Sequence, residues 1–450
     1  MDGQSGVNTY LLRSTIVAAL GGLLFGFDTA VISGATSALA TEYSLTQLML
    51  GFTVSAALWG TVIGSMTAGA PSDRFGRRGC LQALAILYIV TALGCAFAWN
   101  WYVFILFRFI GGLAIGGSSV VGPMYIAEIA PASKRGRLVG FFQFNIVAGI
   151  LVAYLSNYLI GLASLGAMEW RWKLGITGLP ALLFLLMLTG IPQSPRWLVR
   201  KGRIAEAKEV FARIGEPDPQ REVTDVVESL GVENREAGEP LFQSKYRFPI
   251  LLAIGIGMFN QLSGINAILY YLNDIFAKAG FSKVSSDLQA VAIGFTNLVF
   301  TMIAMTVIDK VGRRKMLLTG AAGTASCLAG VAAIFASGAH EDLLVWLLIG
   351  FIAFFAFSQG AVIWVYLSEV FPNLVRAKGQ ALGSFTHWIM NALISGVFPA
   401  LAAMSKPLPF VFFAAATVVQ FFVVLTFFPE TKGVTLEEMQ HKLGIKTPAK

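Results

Sequence analysis

Asp73-Arg74-Phe75-Gly76-Arg77-Arg78 recurs 236 positions later as Asp309-Lys310-Val311-Gly312-Arg313-Arg314. Both stretches lie between long apolar runs. Three further pairs of stretches match at nearly the same offset: Glu128, Pro131 and Arg135 with Glu369, Pro372 and Arg376; Pro192-Gln193-Ser194 with Pro429-Glu430-Thr431; and Gly26-Phe27-Asp28 with Gly264-Ile265-Asn266. Self-similarity at a fixed period indicates a repeated architecture. The sequence therefore predicts two halves of similar design.

The composition outside these stretches is that of a membrane protein. Of the 450 residues, 56% are hydrophobic and 13% are charged, against roughly 25% charged in soluble domains. A helix needs about 20 apolar residues to cross the hydrocarbon core, and twelve runs qualify: 14–36, 49–70, 80–98, 101–126, 138–160, 172–191, 249–272, 289–308, 316–337, 343–367, 379–403 and 409–428. Lipid satisfies no backbone polar group, and the runs show no two-residue alternation, which excludes a membrane barrel. We expect an all-α integral membrane protein of twelve transmembrane helices.

The repeat and the polar stretches set the expected domain boundaries. Residues 1–191 and 249–430 form the two six-helix bundles, 192–248 a cytoplasmic linker, and 431–450 a cytoplasmic tail. Within the linker, apolar residues recur at helical spacing from Ile204 to Ile214 and from Val223 to Leu230. This pattern predicts two short amphipathic helices, with a flexible linker as the alternative.

The basic residues predict the orientation in the membrane. With both termini on one face, 27 of the 33 Lys and Arg residues fall on that face. Cytoplasmic loops carry this excess of positive charge, so the termini are expected in the cytoplasm and the protein in the plasma (inner) membrane. The net charge of +8 thus indicates topology, and we expect no nucleic-acid partner. The three cysteines show no metal-ligand spacing, so neither a metal site nor a cofactor is predicted.

Two charged residues stand inside apolar runs, Asp28 and Arg108. A charge at the centre of a membrane helix costs roughly 2.5 to 3.5 kcal/mol and usually has a function. A rise of 1.5 Å per residue places both side chains about 10 Å from the external surface, so we expect an ion pair. Asp28 is the candidate coupling-proton site. The alternative is that the pair only joins two helices.

A second set of polar residues opens the second half, in Asn260-Gln261-Leu262-Ser263-Gly264-Ile265-Asn266, with Tyr270 and Tyr271 one turn later. Amides and phenols supply the donors and acceptors that sugar hydroxyls need. On one regular helix Gln261 and Asn266 would point about 140° apart, so we predict a helix break at Ser263-Gly264. Polar or amphipathic residues in other runs complete this candidate substrate set: Gln143, Asn297, Trp364, His387, Trp388 and Asn391.

Together these stretches resemble the sugar porter family of the major facilitator superfamily over essentially the whole chain. The resemblance rests on the paired basic loops, the Glu-x-x-Pro-x-x-x-Arg loops, Gln261 to Asn266, and Pro429-Glu430-Thr431-Lys432-Gly433. It implies monosaccharide contacts at Gln143, Gln261, Asn266, Asn297, Trp364 and Asn391, and an external gate at Tyr270 and Tyr271. It also implies a cytoplasmic charge network that stabilises the outward-open state, formed by Asp73, Arg74, Arg77, Arg78, Glu128, Arg135, Asp309, Arg313, Arg314, Glu369, Arg376 and Glu430.

The resemblance also bears on proton coupling, since Asp28 and Arg108 follow the pattern of proton-coupled members. Two positions depart from the family. Asn260 stands where a second glutamine is usual, which shortens one sugar contact. Gln193 replaces the acid of the first half's network, and the neutral side chain is expected to shift the conformational balance inward.

The function expected from the sequence is proton-coupled symport of a monosaccharide by alternating access, with sugar, proton and lipid as partners of a monomeric protein. A facilitative uniporter is the first alternative. A sugar sensor that does not transport is the second, and it would ordinarily need a long signalling tail. An enzyme is not expected, because the sequence shows no cluster of acid, base and nucleophile residues beyond the buried pair.

Overall fold

The computed structural model describes residues 8–131, 134–236, 239–434, 436–443 and 445. All regular secondary structure in these ranges is helical. Twelve segments are long and apolar enough to span a membrane: Thr9–Gly34, Gln47–Thr67, Arg77–Ala96, Trp101–Ile129, Arg135–Leu162, Gly166–Leu188, Ser244–Tyr270, Lys283–Val311, Arg313–Ser337, Glu341–Glu369, Arg376–Met404 and Leu408–Phe427. The predicted all-α membrane fold is confirmed. The two chain ends, whose side of the membrane the sequence predicts, lie outside the described residues.

Several spans are built from more than one helix. In the first part of the chain the helices are α1 (Thr9–Val31), α2 (Thr36–Glu42), α3 (Gln47–Thr67), α4 (Gly69–Phe75), α5 (Arg77–Ala96), α6 (Trp101–Ile129), α7 (Arg135–Leu162), α8 (Glu169–Gly175) and α9 (Gly178–Leu188). The polar insert contributes α10 (Pro195–Arg200), α11 (Ile204–Arg213) and α12 (Pro219–Glu236). The rest are α13 (Arg247–Leu262), α14 (Ile265–Tyr270), α15 (Leu272–Lys278), α16 (Lys283–Val311), α17 (Arg313–Ser337), α18 (Leu344–Phe355), α19 (Ala361–Glu369), α20 (Arg376–Met404), α21 (Leu408–Phe427) and α22 (Leu436–Lys442).

The helices group into two compact units. The first unit comprises the described parts of Met1–Val31, Trp59–Ala153 and Met168–Ala237. The second comprises the described parts of Ile32–Leu58, Tyr154–Ala167 and Gly238–Lys450. The chain therefore leaves the first unit at the end of α1, and it changes unit again within α3 and within α7. The domain boundaries expected from the repeat remain a prediction.

Close glycine contacts fix how α1 crosses α7 in the first unit. A Cβ atom on Gly26 would lie 1.9 Å from the carbonyl oxygen of Ile146, and one on Gly149 would lie 2.1 Å from that of Leu23. Only glycine permits such an approach, which is how small residues let membrane helices pack. The crossing lies immediately before Asp28 and so fixes the position of its side chain.

The insert forms three helices where the sequence predicted two. The additional helix, α10, begins after Ser194, whose hydroxyl accepts a hydrogen bond from the backbone N–H of Trp197 at 3.2 Å, and Pro195 occupies its first turn. A hydroxyl cap followed by proline is a strong helix start. The predicted helices are α11, which buries Ala207 and Phe211, and α12.

Two breaks shape the second unit. The predicted break follows α13, where Gly264 has a φ of 81°, a left-handed conformation that glycine adopts at little cost. The second break was not predicted: between α18 and α19 the chain makes a π-helical turn, Ala356–Gly360. Such turns often mark functional positions in helices.

Candidate functional site

The first unit holds an ion pair between Asp28 on α1 and Arg108 on α6. The Nη1 atom of Arg108 donates to Oδ1 of Asp28 at 2.8 Å. The Arg108 side chain is 6% exposed and the Asp28 side chain is 16% exposed. The ion pair that was predicted from the similar depths of the two residues is therefore present in the structure. Each charge relieves the desolvation cost of the other, and removing either one would leave a buried charge unpaired.

The pair borders a small cavity. A cavity of about 10 Å³ touches Asp28, Arg108, Tyr88, Thr91 and Thr177 among other residues, and a cavity of this size holds about one water molecule. The Tyr88 hydroxyl is hydrogen-bonded to the Ser118 hydroxyl at 3.0 Å. Because both side chains are largely buried, the electrostatic attraction between them is stronger than it would be in water.

A second buried ion pair was not predicted from the sequence. Lys173, near the start of the run 172–191, lies on α8, fully buried, with its Nζ atom 2.8 Å from Oε1 of Glu169. The two residues are one helical turn apart. Their spacing was the signal that could have predicted the pair.

In the second unit, Gln261 is the centre of a hydrogen-bonded cluster. Its Oε1 atom accepts from Nδ2 of Asn266 at 3.0 Å, across the break at Gly264. Its Nε2 atom donates to Oδ1 of Asn260 at 3.0 Å and lies 3.2 Å from the His387 ring nitrogens. The break thus brings together two amides that a regular helix would separate.

Aromatic residues and a further amide adjoin this cluster. The Trp364 ring lies 5.3 Å from that of His387, and the Trp388 ring lies 5.1 Å from it. Trp364 is 38% exposed, whereas Trp388 is 5% exposed. The Nδ2 atom of Asn391 is 3.4 Å from the Tyr270 hydroxyl. We call Asn260, Gln261, Asn266, Tyr270, Trp364, His387, Trp388 and Asn391 the polar cradle.

Three predicted substrate residues lie apart from these contacts. Gln143 is half-buried on α7, in the first unit. Asn297 is buried on α16, and within the described ranges it forms no hydrogen bond to the cradle. The Tyr271 hydroxyl points elsewhere and donates to the carbonyl oxygen of Ser395 at 3.0 Å.

Gln359, which lies in the π-helical turn, was not among the predicted site residues. Its carbonyl oxygen accepts from Nδ2 of Asn260 at 3.3 Å, so its backbone adjoins the cradle. The side chain is 1% exposed, and in the described part of the chain neither amide atom has a hydrogen-bond partner. An unsatisfied buried polar group costs about 1 to 3 kcal/mol. An amide inside the apolar run 343–367 was the available signal.

The first basic loop forms a charge network within the first unit. Arg77 is nearly buried and contacts Asp73 and Glu128, both at 2.9 Å. Arg200, on the insert, also pairs with Asp73 at 2.9 Å. The network therefore connects the loop, α6 and the insert.

The repeated loop forms the corresponding network in the second unit. Arg313 contacts Asp309 and Glu369, both at 2.8 Å. The carboxylate of Glu430 accepts from the backbone N–H groups of Arg313 at 2.9 Å and Arg314 at 3.1 Å. The duplication seen in the sequence thus extends to individual side-chain contacts.

Gln193 takes the place of Glu430 in the first unit. Its Oε1 atom accepts from the backbone N–H of Arg78 at 3.0 Å, and the Nη1 atom of Arg78 donates to the Ile191 carbonyl oxygen at 3.1 Å. The amide keeps the geometry of the carboxylate but not its charge. A charge-assisted hydrogen bond is about twice as strong as a neutral one, so this contact is the weaker of the two.

The other predicted network residues contact the backbone or a ring. Arg135 donates to the Ala127 carbonyl oxygen at 3.0 Å, and Arg376 donates to that of Phe371 at 3.5 Å. The Arg74 guanidinium lies 5.2 Å from the centre of the Phe75 ring. These arginines fix local loop geometry.

Comparison with known proteins gives consistent matches along the whole chain. The family model described as sugar (and other) transporter matches residues 14–443. The D-xylose-proton symporter of Escherichia coli (strain K12) is 35% identical, over 96% of this chain and 96% of the relative. The arabinose-proton symporter of Bacillus subtilis (strain 168) is 36% identical, over 97% and 96%. The inward open conformation of the xylose transporter XylE from E. coli superimposes with a TM-score of 0.86 at 34% identity, covering 96% of this chain and all of the other.

Proposed function

Because this chain belongs to the sugar porter family of the major facilitator superfamily, we propose that it carries a monosaccharide, a hexose or a pentose, together with a proton by alternating access. The relatives named as proton symporters support this assignment. The observation that carries the proton coupling is the buried pair of Asp28 and Arg108.

Asp28 is the proposed proton site. Protonation removes the negative charge and with it the attraction to Arg108, whereas deprotonation restores the pair. Asp28 lies one turn before the 3₁₀ turn Ile32–Gly34, at the point where the chain leaves the first unit. A change in this pair therefore acts three residues before the point where the chain passes from one unit to the other.

The polar cradle is the proposed sugar site. Its amides, imidazole and phenol offer both donors and acceptors to sugar hydroxyls, and the half-exposed Trp364 offers an apolar ring face. The amides of Gln261 and Asn266 bond to each other, so a sugar that binds both would replace this hydrogen bond with its own. Gln143 and Asn297 are the proposed further contacts, and Tyr270 and Tyr271 the external gate.

The two loop networks are the proposed cytoplasmic charge network, with both chain ends in the cytoplasm and the protein a monomer in the plasma membrane. In this assignment the side bearing most Lys and Arg faces the cytoplasm. The neutral Gln193 makes the first-half network the weaker one and favours the inward-facing state.

Uptake by purified protein in liposomes tests the proposal. A panel of hexoses and pentoses is offered with an inside-negative potential, with and without a protonophore. A symporter accumulates one or more sugars above the external concentration, and the protonophore abolishes this accumulation. A facilitative uniporter, the alternative, reaches only equal concentrations in both conditions, and that result would refute proton coupling.

A further inference from the structure

The second unit contains a cavity of about 400 Å³ that the polar cradle does not account for. The cavity lies at the external end of the second unit, as judged from the distribution of basic residues. Its lining comes from α2, the start of α3, α15, α17, α20 and α21, and its polar residues include Thr41, Gln47, Asp274, Lys278 and Lys406. Of the predicted substrate residues only Tyr271 lines it. A volume of several hundred Å³ is in the range of small-molecule sites.

Asp274 is the acceptor group of this cavity. It is half-buried on α15, beside the Thr36 hydroxyl, which donates to the Ser33 carbonyl oxygen at 3.2 Å. Burial raises the pKa of this carboxyl to about 6, although the neighbouring Thr36 hydroxyl and Lys278 ammonium group oppose the rise. The carboxylate is therefore charged at neutral pH and loses its charge within a few pH units below.

Donor groups surround this acceptor. Lys278 and Lys406 are exposed at the rim, and the Nζ atom of Lys406 reaches the carbonyl oxygen of Lys278 at 3.2 Å. The exposed Thr41 hydroxyl and the Gln47 amide add neutral groups that can both donate and accept. Such a mixture suits a ligand with several hydroxyl groups.

Aromatic rings form the opposite wall. The Tyr271 ring stacks on that of Phe398 with centroids 5.1 Å apart, and the Phe398 ring meets the Phe410 ring edge-on at 6.3 Å. Phe335 stacks on Phe410 at 5.3 Å. The cavity thus pairs an apolar ring surface with a charged and hydroxylated rim, the same division that a sugar presents between its C–H face and its hydroxyl groups.

We infer that this cavity is a second monosaccharide site, on the external side, in which Asp274 and the two lysines bind hydroxyl groups and the aromatic wall contacts the sugar ring. The inference rests on the proposed function for its ligand. An anionic ligand would have to lie against the Asp274 carboxylate, and a purely apolar one would leave the charged rim without partners. A neutral polyol meets neither obstacle.

Binding to a protein without a working cradle tests the inference. The double variant Gln261→Ala/Asn391→Ala is placed in lipid nanodiscs, and the sugar that wild-type protein transports best is titrated by saturation-transfer-difference NMR. We expect the variant to keep a saturable, weaker site. Ala402→Trp, which puts a large ring into the cavity lining, should weaken that site at least tenfold. Ala403→Trp is the matched control, since Ala403 is exposed and is not part of the lining.

The pH dependence gives a second readout. Between pH 7.5 and pH 5 the charged fraction of a carboxyl group with a pKa of about 6 falls about tenfold, and the affinity of the external site should fall by the same factor. Tyr271, Lys278 and Lys406 also line the cavity, and the Asp274→Asn variant distinguishes the contribution of Asp274 from theirs. In this variant the affinity should be no higher than the wild-type value at pH 5 and should not change between the two pH values.

The outcomes separate this inference from the proposed function. Loss of all saturable binding in the cradle variant, or residual binding that Ala402→Trp leaves unchanged, overturns the external site while wild-type symport stands. A wild-type protein that transports no monosaccharide overturns both. Residual binding that is sensitive to Ala402→Trp and to pH supports the site.

Discussion

Replacing Asp28 with asparagine should separate sugar movement from proton coupling. The substitution keeps an oxygen at the Oδ1 position, 2.8 Å from Nη1 of Arg108, but removes the titratable charge. Breaking a buried ion pair from one side costs about 3 to 5 kcal/mol. Because the amide oxygen still accepts a hydrogen bond, we expect about 3 kcal/mol of destabilisation, which Asp28→Asn/Arg108→Gln should largely relieve.

The effect on transport follows from the driving force. A proton entering at 100 mV contributes about 2.3 kcal/mol, which corresponds to about fiftyfold accumulation of sugar. In liposomes with this potential we expect wild-type protein to approach that ratio and Asp28→Asn to reach a ratio of about one. Exchange of labelled for unlabelled sugar should persist in the variant and shows that it is folded. Accumulation above the external concentration by Asp28→Asn would refute the coupling role.

Three other substitutions test separate parts of the structure. A Cβ atom on Gly51 would lie 1.8 Å from the Gly396 carbonyl oxygen, so Gly51→Val should separate α3 from α20. The alkylation rate of a cysteine placed in the external cavity should then rise at least tenfold. The control Gly136→Val, whose side chain would extend into open space, should leave this rate unchanged. Gln193→Glu should raise the free energy of unfolding at pH 7 by about 1 kcal/mol, because the hydrogen bonds that its Oε1 atom accepts become charge-assisted while only the long 3.4 Å bond from Nε2 to the Phe75 carbonyl oxygen is lost; an unchanged or lower free energy of unfolding would contradict this. Gln359→Leu should raise the melting temperature by removing an unsatisfied amide and should slow sugar uptake, whereas unchanged uptake would make the residue purely structural.

Most of the architecture could be predicted from hydropathy and the repeat. The bilayer requires every span to be long enough to cross it and to satisfy its own backbone hydrogen bonds. The run predicted at 316–337 corresponds to Arg313–Ser337, and that at 49–70 to Gln47–Thr67. The break at Gly264 was predictable because two amides needed to meet. The π-helical turn Ala356–Gly360 was not, since hydropathy averages over a run and carries no signal of a shifted hydrogen-bond register.

The candidate sites were partly predictable for a similar reason. Charges such as Asp28 stand out against apolar neighbours, and counting along two helices was enough to match their depths. Which amides bond to one another depends on rotamers and on neighbouring helices, so the sequence placed Tyr271 beside Tyr270 but could not show that its hydroxyl points to Ser395. The buried ion pair of Lys173 was not predicted, because the charges were considered one at a time and not with Glu169, one helical turn away.

Sugar-driven proton movement tests the central claim most directly. Liposomes containing the protein are suspended in weakly buffered medium without an imposed gradient, and the external pH is recorded as sugar is added. We expect the external medium to become alkaline with wild-type protein and to stay unchanged with Asp28→Asn, although both take up labelled sugar down its gradient. Equal alkalinisation by the two proteins would contradict the assignment of Asp28 as the proton site.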